Sequence, residues 1–231
     1  MRTAVITGAT GGAGRAVARR LAADGWALAL AGRDLEALEA LALELALEAD
    51  RFTVDVVDLL DETATRAWAQ RVLERFGGVD AVAHLVGGWR GGVSIGEADL
   101  GDWTFLQDAL VRTLQHTSRA FLEPVRAGGR GRFVIVSSPQ ALEPAPTNAA
   151  YAAAKAAAEA WTFALAAELA DAGATANVVA VNAILTDAMR AAHPEKPYKT
   201  FTPAADVADA IAWLFSDGAA KMNGRRLALH P

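Results

Sequence analysis

The stretch that most constrains this 231-residue chain is its beginning, where an apolar strand pattern runs through a glycine-rich turn directly into a helical pattern. Thr3-Ala4-Val5-Ile6-Thr7 is short and apolar, Gly8-Ala9-Thr10-Gly11-Gly12-Ala13-Gly14 follows, and a helical pattern runs from Arg15 to Asp24 before Gly25 ends it. Glycines placed this way permit a tight turn, let backbone N–H groups close on a pyrophosphate, and let helix and strand pack tightly. The partial positive charge of the helix start falls where such phosphates would lie. No Gly-Lys-Ser/Thr follows, which separates the turn from the loop of nucleoside triphosphatases. Gly8, Thr10, Gly12, Ala13 and Gly14 are therefore expected to bind a dinucleotide.

The rest of the chain continues as that start requires. Strands are predicted over Ala27–Ala31, Phe52–Val56, Val79–Val86, Arg132–Ser138, Ala176–Ile184 and Arg226–Leu229. Helices are predicted over Leu35–Glu48, Thr63–Phe76, Trp103–Arg126, from Tyr151 to about Asp171, and Ala204–Phe215. Gly87–Gly92 reads as a flexible loop, and Thr186–Thr202 has little pattern. Strand and helix alternate with mostly short connections. That predicts a single α/β domain: a Rossmann-type, doubly wound parallel sheet of about seven strands, covered by helices on both faces. A hydrophobic content of 53% supplies the two apolar layers such a sheet needs.

Composition narrows the partners. A formal charge of −5, with no basic stripe, argues against nucleic acid. Cysteine is absent and the four histidines are scattered without ligand spacing, so no metal site is expected. No signal-peptide pattern precedes the first strand, and no apolar run reaches the eighteen or so residues of a membrane span. The expectation is a soluble, cytoplasmic protein that binds neither membrane nor nucleic acid.

Tyr151 and Lys155 stand four apart at the head of a helix, so phenol and ammonium share a face. A nearby ammonium favours the phenolate, which lowers a pKa ordinarily near 10. A phenol tuned in this way can hand a proton to a carbonyl oxygen or take one from an alcohol. Ser138, at the end of Arg132-Phe133-Val134-Ile135-Val136-Ser137-Ser138, can hold the same oxygen. At the end of the second strand an acid would bind the ribose of NAD, and an arginine would suit the 2′-phosphate of NADP. The chain has Gly32-Arg33-Asp34 there. Arg33 points to NADP(H), with NAD(H) the less favoured cofactor. Asp34 can pair with Arg33, bind a ribose or cap the next helix; its place just before the leucine-periodic helix favours the cap. Arg15 is either a second cation for the cofactor or a solvated side chain.

Taken together, Thr7-Gly8-x-x-x-Gly12-x-Gly14, Ser138 and Tyr151-x-x-x-Lys155 resemble the short-chain dehydrogenase/reductase family over essentially the whole chain. The resemblance implies hydride transfer between a nicotinamide and a small-molecule carbonyl or alcohol. It assigns proton transfer to Tyr151 and the nicotinamide ribose and phenol tuning to Lys155. Ser138 would hold the substrate oxygen, Asp55 and Val56 the adenine, and Gly87 and Thr186 would complete the cofactor site. Separately, alanine on several faces of the Tyr151 helix lets another helix approach closely, so this helix and the Trp103 helix are expected to pack against a second subunit in a homodimer or homotetramer, the alternative being an ordinary buried helix. Departures are visible. His84-Leu85-Val86-Gly87 replaces the usual Asn-Asn-Ala-Gly, and the position of the usual helix Asn falls near Leu110, with Gln107 or Thr113 at hand. His84 either hydrogen-bonds across strands as the Asn does or relays a proton. Gly87-Gly88-Trp89-Arg90-Gly91-Gly92 resembles a loop of dihydropteridine reductases, which gives an alternative activity. In that loop Trp89 can stack on a planar substrate and Arg90 can meet an anion. A third reading, a non-catalytic NADP-sensing protein, is opposed by the joint presence of Ser138, Tyr151 and Lys155.

Overall fold

The structure, a computed structural model, describes residues 1–229. In chain order its elements are β1 (Thr3–Thr7), α1 (Gly12–Ala23), β2 (Ala27–Gly32), α2 (Leu35–Leu45), β3 (Phe52–Val56), α3 (Glu62–Phe76), β4 (Ala81–His84), α4 (Leu100–Gln107) and α5 (Thr113–Ala127). They continue with β5 (Arg132–Ser137), α6 (Ala149–Leu169), β6 (Thr175–Ala180), β7 (Ala183–Leu185), α7 (Asp187–Ala192), β8 (Phe201–Pro203), α8 (Ala204–Leu214) and β9 (Arg226–Ala228). Seven strands form one parallel sheet in the order β3-β2-β1-β4-β5-β6-β9. The order turns back between β1 and β4, and a crevice opens there at the carboxyl ends of the strands, where open α/β sheets bind ligands.

Strand periodicity explains the two layers. In β1, Ala4 and Ile6 face one core with Val17 and Leu21 of α1 and Ile211 of α8, while Val5 faces the other with Trp68 of α3, Phe121 of α5 and Leu165 of α6. All five residues of β1 are buried, as a central parallel strand requires.

Four boundaries differ from the sequence reading. The predicted strand Ala176–Ile184 is two strands: β6 ends at Ala180, and β7 leaves the sheet to pair with β8. The exposed Asn182 side chain donates to Thr200 O there, tying the departing chain to the segment before β8. That supposedly patternless segment carries α7 and β8. The predicted helix Trp103–Arg126 is divided by a π-helical turn at Asp108–Arg112. The Thr113 hydroxyl donates to Ala109 O at 2.8 Å beside this widened turn, a feature found often at functional sites. Helix α2 stops at Leu45 because Ala46 takes the left-handed conformation, φ 48°, which hydrophobic periodicity does not register.

Candidate active site

The glycine turn is built so that only glycine fits at two of its positions. Gly8 has φ +66°, and a Cβ there would lie 2.8 Å from Leu85 O. A Cβ on Gly14 would lie 2.2 Å from Gly8 O and 2.7 Å from the backbone of Ala9. Helix α1 begins with no side-chain cap and no acid in its first turn. By contrast α2, α3 and α4 are capped by Asp34, Asp61 and Asp99. The first N–H groups of α1 thus lack a side-chain acceptor where an anion would lie. Thr186 stands over this turn: its methyl would be 2.6 Å from a Cβ on Gly12, while its hydroxyl accepts from Met189 N and caps α7.

A cleft of about 450 Å³ runs from the turn over β2, lined by Gly8, Thr10, Gly32, Arg33, Asp58 and Leu59 among others. Asp34 accepts from Ala37 N at 3.0 Å, so it is the helix cap, and Arg33 is left as an exposed cation at the cleft. Arg15 donates to Thr10 O and faces Glu44, which commits it to structure. Asp55 and Val56 do not line the cleft. The Asp55 carboxylate meets Arg71 at 3.2 Å, and Val56 is 53% exposed. Asp58 and Leu59 take that place because β3 ends at Val56, and the chain turns into the crevice only beyond a strand's carboxyl end. That rule, applied to the strand boundary, would have found them.

A second cleft, of about 690 Å³, shares Gly11, Leu85, Val86 and Gly87 with the first, so the two form one trough. Tyr151 and Lys155 line it from α6, together with Gly12, Ala13 and Gly14. Lys155 is buried and donates to Val136 O at 2.8 Å, with its Nζ 5.7 Å from the Tyr151 ring centre. Burial pushes its ammonium down to about 8, and Glu159, one helical turn on, opposes that shift. Burial moves the Tyr151 phenol upward from 10, opposed by the neighbouring Ser138 hydroxyl. The direction is opposite to the expectation from Lys155, because the ammonium is turned to the Val136 carbonyl while the phenol is desolvated.

Ser138 is 1% exposed, and its Oγ accepts from Gln140 N. Its carbonyl is held by Arg226 Nη2 at 2.9 Å, and Arg226 in turn pairs with both oxygens of buried Glu159, at 3.1 and 3.2 Å. Sequence reading missed this pair. Its members are separated by 67 residues and no local pattern links them.

His84 lies buried between Thr7 and Thr113. The Thr113 hydroxyl gives its one proton to Ala109 O, so it accepts from Nε2–H at 3.3 Å; Nδ1 then accepts from Thr7 at 2.9 Å. Burial, reinforced by Lys155, lowers the imidazole to about 3. His84 is therefore neutral at ordinary pH and staples β1, β4 and α5. Leu110 is buried against Tyr151, Leu106 and Ala154, so carbon fills the place of the family's Asn. Of the loop residues, Trp89 lines the trough, whereas Arg90 lies 4.2 Å over Phe105 and faces Asp102. Among the described residues no group of three or more His, Asp or Glu stands together to hold a metal, and no helix is long and apolar enough to cross a membrane.

Residues 2–197 match the family model described as short chain dehydrogenase. Nodulation protein G of Rhizobium meliloti (strain 1021) is 30% identical over 98% of this chain and 94% of its own length. A monensin polyketide synthase putative ketoacyl reductase of Streptomyces virginiae is 34% identical over 77% of this chain and 69% of its own. Among solved structures, levodione reductase superposes with a TM-score of 0.88 at 28% identity, covering 99% of this chain and 96% of that one.

Proposed function

Since the chain belongs to the short-chain dehydrogenase family of oxidoreductases, we propose that it is an NADP(H)-dependent reductase of a small carbonyl compound, or oxidises the corresponding alcohol. One observation carries the reading: Tyr151 and Lys155 line the same trough as the glycine turn. Relatives named as ketoacyl and levodione reductases support the direction. The turn fits the cofactor's pyrophosphate, since Gly8 and Gly14 let it pack tightly and the first N–H groups of α1 have no side-chain acceptor. Arg33 would hold the 2′-phosphate, Asp58 and Leu59 would flank the adenine, and Gly87 and Thr186 would border the nicotinamide half. When bound, the cofactor supplies the hydride. Tyr151 donates its phenolic proton to the carbonyl oxygen, which the Ser138 hydroxyl also holds. Lys155 keeps a positive charge beside the phenolate that forms.

The cofactor assignment is tested by Arg33→Ala. We expect the Kd for NADPH to rise about 10- to 100-fold, as losing a hydrogen-bonded charge partner implies, with NADH nearly unaffected. Equal losses for the two cofactors would remove the 2′-phosphate role.

The pH dependence follows from the two shifts. With Tyr151 raised and Lys155 at about 8, the ammonium is the first of the pair to lose its proton on raising pH. Reduction needs both protons in place. Its kcat/KM should therefore hold at lower pH and fall as pH rises through about 8. Glu159→Gln removes the carboxylate that raises Lys155, so the falling limb should move to lower pH. A limb that stays where it was in that variant would detach Glu159 from the tuning of Lys155.

A further inference from the structure

Strand β5 ends at Ser137, and Ser138 lies one residue beyond it, outside the ladder. Three other bonds hold Ser138. Two come from the 3-10 turn that follows: Gln140 N donates to its Oγ at 3.3 Å, and Ala141 N to its carbonyl at 3.1 Å. The third comes from the edge of the sheet. Arg226, the first residue of β9, donates from Nη2 to the same carbonyl at 2.9 Å, although β6 lies between β9 and β5. The long side chain that makes this reach is itself fixed. Its Nε donates to both oxygens of Glu159, at 3.2 and 3.1 Å, and Glu159 is 3% exposed. Glu159 stands on α6 one helical turn after Lys155, so the two share a helix face. A buried ion pair stabilises a fold no better than apolar side chains of its volume, because both charges leave water. Packing alone therefore does not account for this pair, whereas the N–H that Arg226 has left over reaches a residue of the site.

We infer that Arg226, held by Glu159, is a positioning residue: it fixes the Ser138 main chain so that the Ser138 hydroxyl stays aimed at the oxygen of the carbonyl being reduced. The inference rests on the carbonyl-reductase reading and extends it to two residues that line neither cleft. Ser138 Oγ accepts the Gln140 N–H, which leaves the hydroxyl proton to give. Rotation of the main chain at Ser138 would carry that proton away from the reacting oxygen. A displacement of about 1 Å at such a group costs up to about a hundredfold in rate. With Ala141 N and Arg226 Nη2 both on the carbonyl, its two lone pairs are occupied and that rotation is blocked.

The test replaces both partners together, Arg226→Met with Glu159→Leu, so that no buried charge is left without its counterpart. Cyclohexanone, ethyl acetoacetate and acetoin are the substrates, each with NADPH and NADH. The plateau value of kcat is read on the low-pH side of the Lys155 limb and counted per cofactor-binding site, so neither a shift of that limb nor loss of folded protein enters it. It should fall about 10- to 100-fold, with the Kd for NADPH within about twofold of the wild type. The loss should fall on kcat rather than on KM, because charge develops on the carbonyl oxygen only in the transition state. In a Ser138→Ala background the same replacement should cost nothing further, since no hydroxyl is left to aim. A strand that packs less well would instead lower kcat by the same factor in both backgrounds. Arg226→Lys keeps a cation beside Glu159 without the planar fork, and its loss should show the same dependence on Ser138. An undiminished kcat with Ser138 present, or an equal loss with and without it, overturns the inference and leaves the reductase reading standing. Turnover of none of these ketones with either cofactor would sink the reductase reading and the inference together.

Discussion

Tyr151→Phe should lower turnover of any active ketone by about a thousandfold while leaving NADPH affinity within a few-fold of the wild type, in line with the range for a lost general acid. In the proposed reaction the phenol is the proton source, and the side chains around it offer no substitute. Ser138 is a poor acid, Lys155 is bonded to a carbonyl, and His84 is neutral and shut in between two threonines. The position where the family usually has an Asn is carbon, from Leu110. Phenylalanine keeps the ring that packs against Leu106, Leu110 and Ala154, so α6 and the cofactor cleft should be undisturbed. Stopped-flow NADPH oxidation reads the first quantity and fluorescence titration the second. Turnover within tenfold of the wild type would take Tyr151 out of the chemistry.

Gly14→Ala should nearly abolish cofactor binding, with a Kd raised more than about 100-fold, and should destabilise the fold by roughly 1–3 kcal/mol, the usual cost of forcing atoms into a packed site. The added methyl would sit 2.2 Å from Gly8 O and 2.7 Å from Ala9 C and O. These are backbone atoms, so relief requires the whole turn to move. The turn is in turn held by Gly8, whose own Cβ position abuts the Leu85 carbonyl. Gly25→Ala is the matched control. Gly25 has φ +83° with nothing within 4 Å of its Cβ position, so that variant carries backbone strain of about 1–2 kcal/mol without steric displacement. It should lower the melting temperature yet leave NADPH affinity as it was. Wild-type affinity in Gly14→Ala would mean that the turn does not cradle the phosphates.

The elements of the site that could be read in advance are those that span a few residues. The glycine turn, the Asp34 cap and the placement of Tyr151 and Lys155 on one trough are local and appear in the structure, whereas the expected lowering of the phenol by the ammonium does not, because Lys155 is bonded to Val136 O. Asp55 and Val56 were expected at the cofactor cleft, which Asp58 and Leu59 line instead; the end of β3 was read correctly at Val56, but the chain turns into the crevice only beyond that end. The break in the long helix at Asp108–Arg112 escaped because a single five-residue turn is too short for the apolar pattern to distinguish π from α.

Hydrophobic period, glycine conformation and helix spacing act over a few neighbouring residues, so the doubly wound sheet, the glycine turn and the placement of Tyr151 and Lys155 on one helix face are legible along the chain. The charge state of the side chains at the site comes from packing. Lys155 meets Val136 O across 19 residues, Arg226 holds Ser138 O across 88, and His84 is neutralised by burial beside Thr7, 77 residues away. Desolvation and long-range hydrogen bonds depend on which surfaces are brought together, and that is a property of the packed chain rather than of any stretch of it.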